Sequence, residues 1–436
     1  MTVESKAPLR VLFVNRFYYP DLSATSRLLT QLSEDLAAHG QDITVITSRF
    51  SYLGGSDAWP EEGEHEGVTI KRVWSTHFGR RSGVGRLVDY LSFFSSAFWA
   101  VLRAGRVDWL IVLADPPMLS VLAAVAKKLL KCRAACWMQD VFPQIAIQSG
   151  MLKPGLLSGW ISRVALWSLQ SLDRVAVVGR CMEQKLVQEG FSGRHLTTIP
   201  NWADGAQIFS VDRGNNPFIA EQGLDQRFVL MYSGNLGIVH EVQTVENLLR
   251  CTHVLTDFTM CVIGDGAHMG LLQRMAQEEE WSHVRFLPYQ PDETLRFSLA
   301  AAHVHLVTLK PEMSGLSVPS KIYGILAAGR PVIFIGPEES EAAALVREAE
   351  CGYVVRPGDH QAVVKALISY RDDHALLQEH GRRARTYFEA HCSRTLGTAR
   401  FVELLRGHES TSVSTSRISP VSFNGARAVT EKVVHW

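Results

Sequence analysis

The chain has 436 residues, 46% of them hydrophobic and 20% charged, an ordinary globular composition with enough length for two domains. Lys+Arg and Asp+Glu both total 44, and this balance gives no reason to expect nucleic acid as a partner. The seven cysteines form no C-x-x-C pair, so we expect neither a disulfide framework nor a zinc site, and a reducing cytoplasm fits. The start, MTVESKAPLR, lacks the apolar segment of a signal peptide.

The first half of the chain alternates apolar runs with helical periods. Residues 9–14, LRVLFV, are typical of a parallel strand buried on both faces. A loop and a helix at 27–39 follow, and Gly40 ends that helix. Further strands are predicted at 43–47, 109–113, 134–138, 175–178 and 197–199, and further helices at 119–130 and 151–170.

One segment is similar to a membrane span. Residues 87–102, LVDYLSFFSSAFWAVL, are flanked by Arg80, Arg81 and Arg86 on one side and by Arg103 and Arg106 on the other. The segment contains Asp89 and is short for a bilayer, which needs about twenty residues. It is therefore either a buried helix of an α/β domain or a basic-flanked aromatic face that rests on an anionic membrane surface.

A second alternating series begins after a polar, irregular stretch at 204–227, which we interpret as the interdomain linker. Strands are predicted at 228–232, 259–263, 284–287, 304–307 and 332–335, with helices at 242–251 and from about 267 to 279, and a final helical region at 388–405. This repeated strand–loop–helix order predicts two doubly wound α/β domains.

Ligands of doubly wound sheets bind beyond the carboxyl ends of the strands. The loop at 15–27 is not glycine-rich, so the dinucleotide fingerprint is absent, but it holds several polar side chains, namely Arg16, Asp21, Ser23, Ser26 and Arg27. Loops rich in small residues follow two later strands, at 234–237 (GNLG, with His240 beyond) and at 264–266 (GDG). Small residues there let backbone amides approach an anion, although G-D-G also occurs in ordinary turns.

Asp140 follows the strand AACWM in the first half of the chain. A carboxylate at this strand end can face the second domain across a cleft, and the alternative is an ordinary cap of a turn or helix. No H-E-x-x-H motif occurs among the sixteen histidines, and no Ser-His-Asp order is discernible. The sequence therefore predicts no metal site.

The stretch GLSVPSKIYGILAAGRPV, residues 315–332, combines a loop, a helix start, a glycine stop and a strand. Pro319 suits the first turn of a helix because its fixed φ fits and its missing N–H costs nothing there. Ser320 can cap the helix or occupy its first turn. Lys321 adds a positive charge to a helix end whose free N–H groups attract anions. A phosphate would fit here, but this stretch taken alone slightly favours the alternative, a capped helix with a solvent-facing lysine.

Taken together, these stretches resemble the retaining nucleotide-sugar glycosyltransferases of the GT-B fold, family 4, and in particular bacterial enzymes of capsule, O-antigen and exopolysaccharide assembly. The resemblance covers roughly residues 9–406 and rests on the order and spacing of YYPDLSATSRL, ADPPMLSVLAA, WMQDVFPQIAIQSGML, TIPNWAD, YSGNLG, VIGDG, FLPYQP and VPSKIYGILAAGRPVI. It implies two Rossmann-like domains that face each other across a cleft, with a C-terminal helix that crosses back to the first domain.

The resemblance also implies the role of each region. Residues 1–205 would bind the acceptor, 206–388 the nucleotide sugar, 389–407 would form the crossover helix and 408–436 a flexible tail. The diphosphate would lie by the 234–237 loop and Lys321, the base by the 264–266 turn and the 288–290 loop, and the donor sugar by the 312–318 loop. The implied donor-binding residues are Gly234, Asn235, His240, Gly264, Asp265, Gly266, Tyr289, Glu312, Gly315, Leu316, Ser317 and Ser320.

The sequence departs from the family pattern at two positions. The family usually carries two Glu residues, separated by seven others, before the helix-ending A-x-G-x-P-V, and those positions hold Leu316 and Gly324 here. The second Glu commonly contacts the ribose, so that contact lacks its usual residue here. The Arg and Lys that often follow the first strand of the second domain are Asn235 and approximately His240 here, so Lys321 becomes the main expected phosphate ligand. Glu312 is a candidate replacement for the first Glu, four residues early. A branch of the family keeps P-S-K in place of the Glu pair, so activity need not be lost.

The expected reaction is glycosyl transfer with retention, without metal or cofactor. Lys321, helix N-terminal amides and His240 would stabilise the leaving diphosphate, Asp140 would act on the acceptor side, and Arg16, Asp21 and Arg27 would bind the acceptor. In this family the acceptor is often a saccharide on a polyprenyl diphosphate, and this gives residues 80–102, Trp160 and Trp167 a reason to contact the cytoplasmic face of the inner membrane. The alternatives are a non-catalytic sugar-nucleotide-binding subunit and a GT-B-fold epimerase or phosphorylase.

Overall fold

Two β-sheets organise the chain in a computed structural model that describes residues 7–21, 23–52, 58–79, 83–252 and 257–406. The strands of the first are β1 (Arg10–Val14), β2 (Asp42–Ser48), β3 (Glu62–His65), β4 (Val68–Val73), β5 (Trp109–Val112), β6 (Arg133–Met138), β7 (Arg174–Val177) and β8 (Leu196–Thr198). Their order is β3-β4-β2-β1-β5-β6-β7-β8, and the β3–β4 hairpin is the antiparallel pair.

Helices cover both faces of this sheet, so its central strands are apolar throughout. They are α1 (Ala24–Ala38), α2 (Gly83–Leu102), α3 (Leu119–Leu130), α4 (Gln144–Gln148), α5 (Leu156–Gln170) and α6 (Arg180–Gln188). The four residues of β5 are all buried, as a strand between two helical layers requires. The order in which strands are added to the sheet reverses between the parallel strands β1 and β5, which places a ligand crevice at their carboxyl ends.

The second sheet is parallel throughout. Its strands are β9 (Phe228–Ser233), β10 (Phe258–Ile263), β11 (Val284–Leu287), β12 (Val304–Thr308), β13 (Val332–Ile335) and β14 (Gly352–Val355), in the order β11-β10-β9-β12-β13-β14. The order reverses between β9 and β12, so a second crevice opens there. Two doubly wound α/β domains are thereby confirmed.

The remaining helices belong to the second domain or return from it. They are α7 (Pro217–Glu221), α8 (Gln243–Thr252), α9 (Met269–Glu278), α10 (Asp292–Ala301), α11 (Lys321–Ala327), α12 (Glu341–Glu348), α13 (His360–Asp372), α14 (His374–His391) and α15 (Arg394–Arg406). Helix α15 packs on α1, and the Trp109 indole N–H donates to the Leu405 carbonyl at 3.0 Å. The last helix therefore crosses back to the first domain, as the resemblance implied.

Several elements differ from the sequence-based expectation. The polar stretch at 204–227 is not all linker, because α7 buries Phe218 and Ile219 against the second sheet. The final helical region is two helices, interrupted at Cys392 and Ser393. The β3–β4 hairpin, β14, helices α4, α6, α10, α12 and α13 and the part of α14 before residue 388 were not predicted. The expected tail at 408–436 lies outside the described residues.

Residues 87–102 form most of α2, and this helix is buried on one side only. Asp89, Phe93, Ala97 and Val101 face the sheet at four-residue spacing, while Leu87 and Leu91 are exposed on the opposite side. In the described part of the chain, no helix combines the length and apolar character needed to cross a bilayer. Arg80 and Arg81, which precede the helix, lie outside the described residues.

Candidate functional site

Lys321 and Tyr232 meet at the crevice of the second domain. The Lys321 ammonium lies 3.6 Å from the centroid of the Tyr232 ring, donates a hydrogen bond to the Tyr232 hydroxyl and lies 3.4 Å from the Asn235 carbonyl oxygen. The Tyr232 hydroxyl donates to the same carbonyl at 3.0 Å. Lys321 begins α11 and Tyr232 is in β9, so the sheet and the helix together aim the ammonium into the 234–237 loop.

Two glycines allow the loops of this crevice to approach one another closely. Gly264 has φ of +127°, and a Cβ there would lie 2.3 Å from the Gly234 carbonyl oxygen. At Gly234, with φ of +126°, a Cβ would lie 3.3 Å from Lys321 Cε. A side chain at either position would be strained and would displace its neighbours. The loops after β9 and β10 and the start of α11 therefore form one tightly packed surface.

Burial lowers the pKa of Lys321 well below its usual value. Its ammonium has no carboxylate partner within the described ranges, since the ion pairs found there do not include it. Because only dipoles contact the Lys321 ammonium, its positive charge is not fully balanced, and a diphosphate would supply the missing negative charge.

His240 lies in the same crevice, in surroundings that disfavour its protonated form. Burial, then the neighbouring Lys321 charge, lowers the pKa of His240 well below its usual value. Its Nδ1 is 2.7 Å from the Thr308 carbonyl oxygen, so Nδ1 carries the proton and donates. Burial and the charge of Lys310 likewise lower the pKa of His268.

Asp140 of the first domain contacts the second domain. It forms an antiparallel bridge with Ser317, and the adjacent Val141 N–H donates to the Leu316 carbonyl at 2.9 Å. Burial raises the pKa of Asp140, and a hydrogen bond from the Ser317 hydroxyl acts against that shift. The structure thus brings Asp140 together with the 315–318 loop. Gly315 packs against α6, where a Cβ would lie 2.9 Å from the Cys181 carbonyl oxygen.

Arg16 stands at the crevice of the first domain, but its charge is already compensated. Its guanidinium lies 3.6 Å from the Asp89 carboxylate of α2 and 5.2 Å from the ring centroid of Tyr90. Asp89 also accepts hydrogen bonds from Thr76 Oγ1 at 2.7 Å and from the backbone N–H of Phe78 at 2.9 Å. Arg16 therefore orders the first-domain loops, and a bound acceptor would have to share it with Asp89.

The other two expected acceptor residues have partners as well. Asp21 is buried and accepts from the N–H groups of Ser23 at 2.9 Å and Tyr52 at 2.5 Å. Arg27 forms a 2.5 Å ion pair with Asp292 at the start of α10. This pair is a second link between the domains. The structure does not bring Arg16, Asp21 and Arg27 together into one open cluster.

At the start of α11, fewer backbone N–H groups are left to bind an anion than the sequence implied. The amides of Ile322 and Tyr323 already donate to Pro319 and Ser320 carbonyls at 3.3 Å. Ser320 precedes the helix with a helical φ of −62°, and its side chain makes no capping hydrogen bond. This leaves the Lys321 side chain as the main feature of the segment that can meet a phosphate.

Two substitutions in the family pattern have packing consequences. Leu316 is buried, and a Cβ at Gly324 would lie 3.6 Å from Leu299. Glu312 is exposed at the start of a short turn, Pro311–Met313. From the opposite domain, Asp140 reaches this loop through its bridge to Ser317.

The residues that the resemblance places next to the base adjoin the same loops. The Asp265 carbonyl accepts from Leu236 N–H at 2.7 Å, and at Gly266 a Cβ would lie 2.6 Å from Asn235 Oδ1. Tyr289 is close enough to Tyr232 to raise its pKa, second to the effect of burial. The 264–266 turn and Tyr289 therefore adjoin the Lys321 region.

Tyr232, His268 and Lys310 were not singled out in the sequence. Tyr232 reads as an ordinary apolar strand residue, and only the fold shows that its hydroxyl contacts Lys321. Lys310 lies in the loop just beyond Thr308, the last residue of β12. Its backbone N–H donates to the Val239 carbonyl at 3.0 Å. The rule that ligands bind at strand ends could have found Lys310. In the described ranges no three His, Cys, Asp or Glu side chains gather as metal ligands would.

Comparison with known families gives one match for each half of the chain. Residues 24–202 match the family described as "Glycosyl transferase 4-like domain". Residues 227–373 match the family described as "Glycosyl transferases group 1".

Two curated relatives are similar in sequence. "Probable glycosyltransferase WbjE" of Pseudomonas aeruginosa is 29% identical over 268 residues, which is 61% of this chain and 66% of that protein. "Putative colanic acid biosynthesis glycosyl transferase WcaI" of Escherichia coli K12 is 25% identical over 414 residues, 92% of this chain and 100% of that protein.

Solved structures share the fold at lower sequence identity. Sucrose-phosphate synthase from Thermosynechococcus elongatus superposes with a TM-score of 0.72 at 16% identity, covering 91% of this chain and 98% of that one. Anabaena HepE in complex with UDP-glucose superposes with a TM-score of 0.68 at 14% identity, covering 91% and 99%.

Proposed function

Because the chain belongs to the GT-B glycosyltransferases that join a glycosyl transferase 4-like domain to a group 1 domain, we propose that it transfers a sugar from a nucleotide sugar to a saccharide acceptor in cell-surface polysaccharide biosynthesis. Residues 206–388 bind the donor and residues 1–205 the acceptor. The observation that carries this proposal is the Lys321 ammonium at the second-domain crevice, which has no carboxylate partner among the described residues and follows Ser317, the residue that bridges to Asp140 of the other domain.

The donor diphosphate binds at Lys321 and the glycine loops. The ammonium neutralises charge on the phosphates, and the absence of a side chain at Gly234 lets the Lys321 side chain lie directly against the 234–237 loop. Neutral His240 cannot add charge in the empty state, so it acts as a hydrogen-bonding group. This arrangement of side chains requires no metal ion.

The reaction retains the configuration at the anomeric carbon. The C–O bond to the diphosphate breaks as the acceptor hydroxyl approaches from the same face, and its proton passes to the departing phosphate oxygen. Asp140, held to the 315–318 loop through Ser317, orients the acceptor next to the donor sugar. The proposed acceptor is a saccharide on a polyprenyl diphosphate, as the family resemblance implies.

A panel of UDP-, GDP- and dTDP-sugars tests the proposal in two stages. Binding of the correct donor raises the Tm by mass action, and transfer to a lipid-linked saccharide then yields a product whose anomeric configuration is read by NMR. An α-donor should give an α-linked product. Inversion would contradict the retaining mechanism. Binding without transfer or hydrolysis would favour the non-catalytic subunit, and isomerised donor would favour an epimerase.

A further inference from the structure

Glu341 of the second domain contacts the start of helix α6 in the first domain. One of its carboxylate oxygens accepts a hydrogen bond from the backbone N–H of Arg180, the first residue of α6, at 2.6 Å. The other oxygen accepts from Nε of the same arginine at 3.1 Å and lies 2.9 Å from its Nη2. The Glu341 side chain is 5% exposed, and charge-assisted hydrogen bonds are stronger than neutral ones. A single buried carboxylate therefore joins the two domains.

The position of Glu341 in the chain places its charge next to two helix ends. It is the first residue of α12, and Ser340 caps that helix by accepting from the Ala343 N–H at 3.3 Å. An acidic residue in a first turn stabilises its own helix, because a helix N-terminus carries about half a positive charge. Here the carboxylate also contacts the N-terminus of α6 and the Arg180 guanidinium. Without it, two positive helix ends and a cation would lie together at the domain boundary.

Glycine at position 179 allows this close approach of α6 and α12, and we call the contact between Gly179, Arg180 and Glu341 the α6–α12 joint. A Cβ at Gly179 would lie 2.9 Å from Glu341 Cγ and 3.1 Å from its Cβ. Because Glu341 is buried, such a clash would push the two helices apart. The start of α6 also contacts a second segment of the other domain, since a Cβ at Gly315 would lie 2.9 Å from the Cys181 carbonyl oxygen.

Apolar packing connects the α6–α12 joint to the 315–318 loop. Met182 of α6, Ala342 of α12 and Leu316 of the loop belong to one continuous cluster of buried side chains. The Leu316 carbonyl in turn accepts from the Val141 N–H of the first domain at 2.9 Å. Val141 directly follows Asp140. Because protein interiors are close-packed and transmit displacements, a shift of α12 against α6 would change the contact between Asp140 and the loop.

We propose that Glu341 fixes the arrangement of the two domains and is thereby a positioning residue for the transfer reaction. It holds Asp140 of the first domain at a set distance from the segment of the second domain that carries Lys321. Glu348 of α12 pairs with Arg180 as well, at 2.6 Å, but it is 42% exposed, and solvent weakens such a pair. The effect on transfer rests on the proposed function, whereas the domain arrangement does not and is measured without substrate.

Hydrogen exchange of the full chain, followed by mass spectrometry, tests the α6–α12 joint from a distance. The probe is the peptide that contains Val141, whose N–H donates to the Leu316 carbonyl across the cleft, because exchange reports local opening of such bonds. In Glu341→Gln we expect faster exchange in this peptide and in the peptide that contains Arg180. Protection in β10, within the second sheet, should stay as in wild type. Gly179→Ala should give the same pattern through its steric clash, with the charge of Glu341 retained.

Glu338→Gln is the matched control. Glu338 lies in the same segment as Glu341, but it pairs with Arg347 at 3.3 Å and with Arg356 at 2.9 Å, both in its own domain. This variant should exchange as the wild type does. Unchanged exchange of the Val141 peptide in both Glu341→Gln and Gly179→Ala overturns the proposal. An equal loss of protection in β10 also overturns it, since Glu341 would then stabilise the second domain as a whole.

Kinetics separate positioning from donor binding. Glu341→Gln should lower kcat at least about tenfold, since a displacement of about 1 Å at the reacting groups costs up to about a hundredfold. The rise in Tm with UDP, GDP or dTDP should remain as in wild type, because the proposed nucleotide site lies within the second domain. A wild-type kcat despite faster exchange contradicts the positioning role. If wild type transfers no sugar, the proposed function fails, and the exchange result still decides whether Glu341 fixes the domain arrangement.

Discussion

The hydroxyl of Tyr232 connects Lys321 to the loop that follows β9, because it accepts from the Lys321 ammonium and donates to the Asn235 carbonyl at 3.0 Å. Tyr232 and Lys321 are far apart along the chain, so the sequence gives no sign of the hydrogen bond between them. The tyrosine ring lies beneath the ammonium at 3.6 Å, so ring and hydroxyl together fix the position of the charge that the donor would meet.

Tyr232→Phe keeps the ring and removes the hydroxyl. We expect donor KM to rise about fivefold to tenfold, since one hydrogen bond contributes about 1 kcal/mol, with a smaller change in kcat. Steady-state kinetics with saturating acceptor measures both. Tyr353→Phe, on the edge strand β14, is the control and should leave KM unchanged. An unaltered donor KM in Tyr232→Phe would show that the hydroxyl does not position Lys321.

Lys321→Met should remove a pH-dependent component of stability. Burial lowers the folded-state pKa of Lys321 below its unfolded-state pKa. Between these two pKa values the unfolded chain binds a proton that the folded chain does not. The stability contributed by this group is therefore lowest below the folded-state pKa and rises with pH up to the unfolded-state pKa. Urea unfolding across alkaline pH should show a shallower rise in Lys321→Met than in wild type. Lys365→Met, on α13, should retain the wild-type slope.

Donor binding should be accompanied by proton uptake at Lys321. A diphosphate next to the ammonium raises its pKa again, so binding between the lowered and the ordinary pKa takes up a proton. Calorimetry of UDP, GDP and dTDP in two buffers of different ionisation enthalpy measures the number of protons. The nucleotide that binds should show uptake with wild type and none with Lys321→Met; equal uptake by both proteins would assign it to another group.

Ser317→Ala should shift the acidic limb of the kcat–pH profile to higher pH. Burial raises the pKa of Asp140 and the Ser317 hydroxyl lowers it, so removal of the hydroxyl raises the pKa further. If the carboxylate form acts, activity is then lost at a higher pH on acidification. Ser314→Ala in the same segment is the control. A limb that does not move would mean that Asp140 does not titrate in the reaction.

Arg394→Ala should destabilise the attachment of α15 to the first domain. Arg394 forms ion pairs with Glu34 at 2.8 Å, Asp35 at 2.6 Å and Asp204 at 3.1 Å, and its removal leaves three carboxylates close together. We expect a loss of about 3 kcal/mol in the free energy of unfolding, measured by urea titration. Arg382→Ala removes only an exposed pair with Glu379 and should unfold close to wild type. Equal stabilities would contradict the role of the cluster.

Periodicity and strand-end loops were sufficient to predict the two doubly wound domains. Runs such as 9–14 and 332–335 are apolar at every or nearly every position, because a strand between two helical layers has no solvent face. The β3–β4 hairpin escaped prediction because Glu62–His65 is polar and exposed at the sheet edge. Helix α7 escaped because its short apolar core lies within a polar stretch.

The sequence by itself determined the fold class and the family resemblance, and it predicted Lys321 as a phosphate ligand, since each follows from local pattern and order along the chain. Only the tertiary structure decided which partner each charged side chain contacts. Arg16 turned out to be paired with Asp89 of α2, Asp140 to bridge to Ser317 of the other domain, and Lys321 to rest on Tyr232. Such pairings join residues far apart in sequence, and electrostatic energy depends on distance and burial, which exist only once the chain has folded.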